Sequence, residues 1–75
     1  MENLGHKKTA ISYLRTKAES DLVKAKLSLG LLLDQAVGIG DHSTGDFYSN
    51  LDEALDMLVD AGDRLEALEK YYPDV

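Results

Sequence analysis

The sequence predicts an all-α fold, an antiparallel hairpin of two long helices, and three observations support this prediction. Residues 11–36 and 47–72 each repeat apolar or small side chains in steps of three and four, the spacing of one helix face. A glycine-rich break, Val37-Gly38-Ile39-Gly40, separates them. Residues 1–33 hold six basic and three acidic side chains, whereas 34–75 hold two basic and eleven acidic, so the two arms should attract. We therefore interpret residues 1–75 as a single helical-hairpin domain.

The first helix is predicted from about Lys8 to Ala36, with Thr9 as a candidate N-terminal cap. Its apolar face consists of Ile11, Leu14, Ala18, Leu22, Ala25, Leu29, Leu32 and Ala36. The helix should continue through Gly30, which strong helix formers flank. A turn over 37–43 follows, because Gly38 and Gly40 can adopt the left-handed conformation that ends helices.

The second helix is predicted over residues from about 44 to 72. Its seam alternates steps of four and three and comprises Phe47, Leu51, Ala54, Leu58, Ala61, Leu65, Leu68 and Tyr72. This pattern is typical of a coiled coil. The helix should end before Pro73, because proline disfavours the helical conformation of the residue that precedes it.

Folding the chain at the turn pairs positions whose numbers sum to about 79 or 80. The predicted layers are Ile11 with Leu68, Leu14 with Leu65, Ala18 with Ala61, Leu22 with Leu58, Ala25 with Ala54, Leu29 with Leu51, and Leu32 with Phe47. Two alanine layers, one heptad apart, should let the helix axes approach closely. The same register predicts ion pairs of Lys17 with Asp63, Lys24 with Asp56, and Lys26 with Glu53.

A second apolar set lies outside this seam and should stay exposed in a lone hairpin. It consists of Tyr13, Leu27, Leu31, Tyr48, Leu55 and Val59. An exposed apolar patch indicates a partner surface. We expect a homodimer, in which two hairpins form a four-helix bundle, although a different protein could fill the same set.

Composition narrows the function classes. The chain has no cysteine, a formal net charge of −6 and a sequence pI near 4.6, so thiolate metal sites are excluded and general nucleic-acid binding is disfavoured. The longest apolar run, Leu31–Leu33, is too short to span a bilayer, and the N-terminus lacks the apolar run of a secretory signal. We expect a soluble cytoplasmic protein without a membrane segment.

No constellation of catalytic residues emerges, so we predict no enzyme activity and no cofactor. Asp41, His42 and Asp46 near the turn offer three metal ligands, but a helix-capping turn explains the same residues better. Helix 2 carries an acidic strip of Asp52, Asp56, Asp60 and Asp63. We interpret the strip as a solvated face, with imitation of a phosphate backbone as the alternative.

The segment from Leu31 to His42, LLLDQAVGIGDH, resembles small uncharacterised helical proteins of tailed bacteriophages. The resemblance implies a small accessory or host-modulating factor and assigns no site residues. The architecture also resembles Rop-type hairpin dimers, an analogy of fold. The sequence thus predicts a non-enzymatic homodimeric interaction protein. The alternatives are an acidic inhibitor that mimics nucleic acid and binds a basic protein, and an RNA-binding hairpin dimer that uses the lysines of helix 1.

Overall fold

The computed structural model describes residues 2–35 and 44–75, with side chains over 5–35 and 45–75. Two helices account for almost all of them: α1 spans Glu2–Gln35 and α2 spans Thr44–Tyr71. They pack against each other as an antiparallel hairpin, which confirms the predicted all-α fold. The predicted turn over 37–43 lies outside the described residues.

The two helices differ in how well the sequence predicted their limits. Helix α2 begins at Thr44, as expected, and its last turn is completed by the Tyr72 amide, which donates to the Leu68 carbonyl at 2.9 Å. Proline follows and cannot extend this ladder, since it has no amide proton.

Helix α1 begins at Glu2, six residues before the predicted start at Lys8. The predicted cap at Thr9 is therefore wrong. Its hydroxyl donates instead to the Gly5 carbonyl at 3.0 Å, the bond to residue i−4 that a threonine makes inside a helix.

The core between the helices is made mainly of alanine. The buried residues of the described chain are Ile11, Ala18, Ala25, Ala54, Ala61 and Leu68, and all are apolar. They recur every seven residues on each helix, and they are the members of three predicted layers. The other leucines of the seam are only partly covered, except Leu14, which is exposed. The hairpin therefore closes on its small residues.

Contacts near the N-terminus of α1 and the C-terminus of α2 join the two helices. The Lys7 ammonium lies 5.5 Å from the centre of the Tyr72 ring, and the Arg15 guanidinium donates to the Val75 carbonyl at 3.4 Å. These contacts place the first turns of α1 beside the end of α2, as an antiparallel arrangement requires.

Candidate functional site

The hairpin has two long faces of different chemistry, one on each side of the alanine core. On a helix, positions three and four residues beyond a core position lie on opposite sides of it. In an antiparallel pair the same offset points to the same face of both helices. The side chains three residues after the buried positions therefore share one face, and those four residues after them share the other.

The first face is an open groove whose lining mixes apolar side chains, such as Leu14, Leu31 and Met57, with polar and charged ones. We call it the polar groove after the ion pair that crosses it. One part of it encloses about 710 Å³ beside Ser28, Leu31, Gln35, Asn50, Glu53 and Met57. A smaller part of about 240 Å³ lies near the other end of the hairpin, beside Leu14, Arg64, Ala67 and Tyr71. The lining residues come from both helices, which confirms that equal offsets share a face.

An ion-pair network spans the polar groove. The Arg64 guanidinium donates to the Asp21 carboxylate at 2.9 Å across the two helices and to Asp60 at 3.2 Å within α2. Lys17 reaches the same Asp21 oxygen at 3.4 Å. Asp21 is thus the acceptor for one cation from each helix.

The network shifts the titration of both partners. The hydrogen bond from Arg64 lowers the pKa of Asp21 below its ordinary value, partial burial opposes this shift, and Lys17 reinforces it. The same hydrogen bond raises the pKa of Arg64. Because the native state favours the ionised carboxylate, Asp21 contributes stability at neutral pH.

Asp21→Asn should flatten the acid side of the pH–stability profile. The contribution of Asp21 is fully present above its unfolded pKa, near 4, and is lost as the pH falls through the lowered native pKa. Urea midpoints measured from pH 7 to pH 2 should therefore fall less in Asp21→Asn than in the wild type. Asp52→Asn, which removes an exposed carboxylate from α2, is the matched control and should retain the wild-type slope. Equal slopes for wild type and Asp21→Asn would contradict this role.

The predicted pairing of α1 lysines with α2 carboxylates is not found among the described residues. Lys17 pairs with Asp21 on its own helix rather than with Asp63, and no ion pair joins Lys24 to Asp56 or Lys26 to Glu53. The cross-helix pair has the opposite polarity, with the cation on α2. Asp21 and Arg64 sit next to the core, whereas the lysines lie farther round the helix, where water solvates them more cheaply.

The second face is apolar, and we call it the leucine face. It consists of the partly covered leucines Leu22, Leu29, Leu51, Leu58 and Leu65. Each lies four residues after, or three before, a buried position. Leu33, Tyr48 and Leu55 extend this face at its edges and are exposed.

The six residues predicted as a partner interface are all exposed but do not form one continuous surface. Tyr48 and Leu55 border the leucine face, whereas Leu31 lines the polar groove. Tyr13 and Leu27 point away from α2, and Val59, one turn after Leu55, lies beside it toward the outer side of α2. The prediction placed these residues together beside the seam, whereas helix geometry distributes them around the rod.

The acidic strip of Asp52, Asp56, Asp60 and Asp63 is exposed along α2. Asp60 is engaged by Arg64. Within the described residues no cluster of three potential metal ligands occurs, and Asp41 and His42, for which a helix-capping turn was preferred to a metal site, lie outside them. Neither described helix combines the length and apolarity needed to cross a membrane.

The comparisons with protein-family models, curated proteins and solved structures found no match to this chain.

The difference between the two faces is the feature that the sequence reasoning missed. Part of the signal was present in the sequence. The positions three residues after the buried residues are a mixed set, Leu14, Asp21, Ser28, Met57, Arg64 and Tyr71. Those four residues after them are mainly leucine, namely Arg15, Leu22, Leu29, Leu58, Leu65 and Tyr72. Summing the charges over each arm conceals this difference between the faces, because positions three and four residues after a buried residue lie next to each other along the same helix.

Proposed function

We propose that this chain is a non-enzymatic interaction protein that acts as a homodimer of helical hairpins and binds another macromolecule. The observation that carries the proposal is the incomplete core. In the described chain no side chain larger than alanine is fully buried, while twelve large hydrophobic side chains are exposed. A second hairpin would complete the core.

Physical chemistry favours association of such a chain. Ordering each residue costs about 1–2 kcal/mol of conformational entropy, and burial returns roughly 25 cal/mol per Å² of apolar surface. An alanine side chain contributes little area to that return. Chains of about this size that lack disulfides and metals commonly gain the missing burial by self-association.

The described surface supports a binding role over a catalytic one. Two helices side by side form open grooves, and an enzyme needs a site that can exclude water. In the ionic network Asp21 already accepts hydrogen bonds from Arg64 and Lys17. The exposed carboxylates of α2 remain on the outside of the rod, where they offer a surface to a basic partner.

Sedimentation equilibrium at micromolar concentration tests the homodimer. We expect a mass of twice 8.2 kDa and a thermal midpoint that rises with protein concentration, because dissociation accompanies unfolding. A monomer of 8.2 kDa with a concentration-independent midpoint would refute self-association. The acidic surface is tested separately, by capture of basic host proteins at low and high salt.

A further inference from the structure

We propose that a second copy of this chain covers the leucine face. The two copies are related by a two-fold axis that lies in the interface and runs across both helices at the level of Leu22 and Leu58. This inference rests on the homodimer proposed above and specifies its interface. In this arrangement α1 packs antiparallel to the partner's α1, and α2 packs antiparallel to the partner's α2. The polar groove of each hairpin remains on the outside.

Desolvation decides which face is covered. The polar groove contains the Asp21–Arg64 ion pair, with side chains 24% and 38% exposed, and covering it would remove the remaining water from both charges. The leucine face has five leucines along its centre, and no ion pair among the described residues spans it. The hairpin is 60 Å long and 16 Å across. A face of that size is on the scale of the roughly 800 Å² per partner that stable interfaces bury.

The edges of the leucine face are complementary to themselves. On α1, Glu19 and Lys26 each follow a buried alanine by one residue and lie one heptad apart. In a two-fold interface, if residue i meets residue j, then j meets i. An antiparallel crossing midway between these two positions places Glu19 against the partner's Lys26, and Lys26 against the partner's Glu19.

The edge formed by α2 is also complementary to itself, here through side-chain size rather than charge. Leu55 and Gly62 also follow buried alanines by one residue and lie one heptad apart. A Cβ at Gly62 would meet nothing within 4 Å, so the space beside this glycine is open. The crossing that pairs Glu19 with Lys26 therefore also lets Leu55 enter the space beside the partner's Gly62.

Both edges point to nearly the same axis. The midpoint of the first pair falls next to Leu22, and the midpoint of the second falls next to Leu58. These two leucines belong to the layer between those of Ala18 with Ala61 and Ala25 with Ala54, so they occupy one level of the hairpin. In the register of the buried layers the two midpoints differ by two residues, or about 3 Å along the helix axis, so one two-fold axis passes close to both pairs. This agreement favours a second copy over an unrelated protein. The paired charges at the edge also cancel, so two chains of charge −6 can meet there.

Two glutamate substitutions on different faces identify the interface. Leu55 is 49% exposed and Leu31 is 53% exposed, so Leu55→Glu and Leu31→Glu place the same charge at matched positions. We expect Leu55→Glu to weaken the dimer at least about tenfold and Leu31→Glu to change its dissociation constant less than about twofold, because only the first charge becomes buried. Sedimentation equilibrium over a concentration series measures both.

The other outcomes show whether the choice of face or the homodimer itself is wrong. If Leu31→Glu dissociates the dimer and Leu55→Glu does not, the choice of face is overturned and the homodimer stands. If the wild type is a monomer, the homodimer itself is refuted.

Charge reversal at the edge tests the axis. Glu19→Lys and Lys26→Glu should each weaken the dimer about three- to thirtyfold at low salt, because each creates two pairs of like charges. The double variant restores opposite charges and should return to within about threefold of the wild type. Both side chains are exposed in the hairpin, and circular dichroism verifies that each variant stays helical. Single variants that dimerise as the wild type does, or a double variant without rescue, would overturn the antiparallel pairing.

Discussion

Ala61→Leu is expected to lower the free energy of unfolding by about 1–3 kcal/mol, the usual cost of overpacking a close-packed site. Ala61 is fully buried, and so is Ala18, its predicted neighbour across the hairpin. A leucine adds three carbons where two helices approach through methyl groups. The helices must then separate locally, which also loosens the layers above and below. Urea denaturation at fixed protein concentration measures the change.

Ala67→Leu is the matched control for this prediction. It makes the same substitution on the same helix at an exposed position, and it should change the free energy of unfolding by less than about 0.5 kcal/mol. Since alanine and leucine have similar helix propensities, the difference between the two variants isolates packing. Equal stability of both variants would show that the two helices do not pack closely against each other at Ala61.

The alanine layers were predictable because register depends on side-chain size. Ala18, Ala25, Ala54 and Ala61 fall at two levels only when the position numbers sum to 79, and a slip of one heptad would set leucine against alanine. The six buried residues agree with that sum. Small side chains at the closest approach and larger ones beside it are a local pattern, and a single sequence contains it in full.

The ion pairs were less predictable than the alanine layers, because the register of the two helices fixes which core residues meet but not which exposed charges pair. Lysines have long flexible side chains that gain little from exposed pairing, so a nearby carboxylate does not determine where they settle. Arg64 succeeds because it sits beside the core, where its planar guanidinium reaches across to Asp21. The Asp21–Arg64 pair follows from which charged residues lie next to a buried position, and the net charge of each arm does not contain that information.

Leu68→Ala is expected to lower the free energy of unfolding by about 2–4 kcal/mol, within the range measured for buried leucines in other proteins. Among the described residues, Leu68 is one of two buried residues larger than alanine, the other being Ile11 in the same predicted layer. It also shares the smaller part of the polar groove with Leu14 and Arg64. Removing its side chain would therefore open the core at the end where the Lys7–Tyr72 contact joins the two helices.

Leu27→Ala provides the comparison, since it removes the same atoms from a side chain that is 63% exposed and points away from α2. We expect it to change the free energy of unfolding by less than about 0.5 kcal/mol. Urea midpoints and slopes of both variants at one protein concentration separate the two effects. A loss at Leu27 as large as that at Leu68 would mean that the outer surface of α1 is buried in the native assembly, and the leucine face would then not be the only surface that another chain covers.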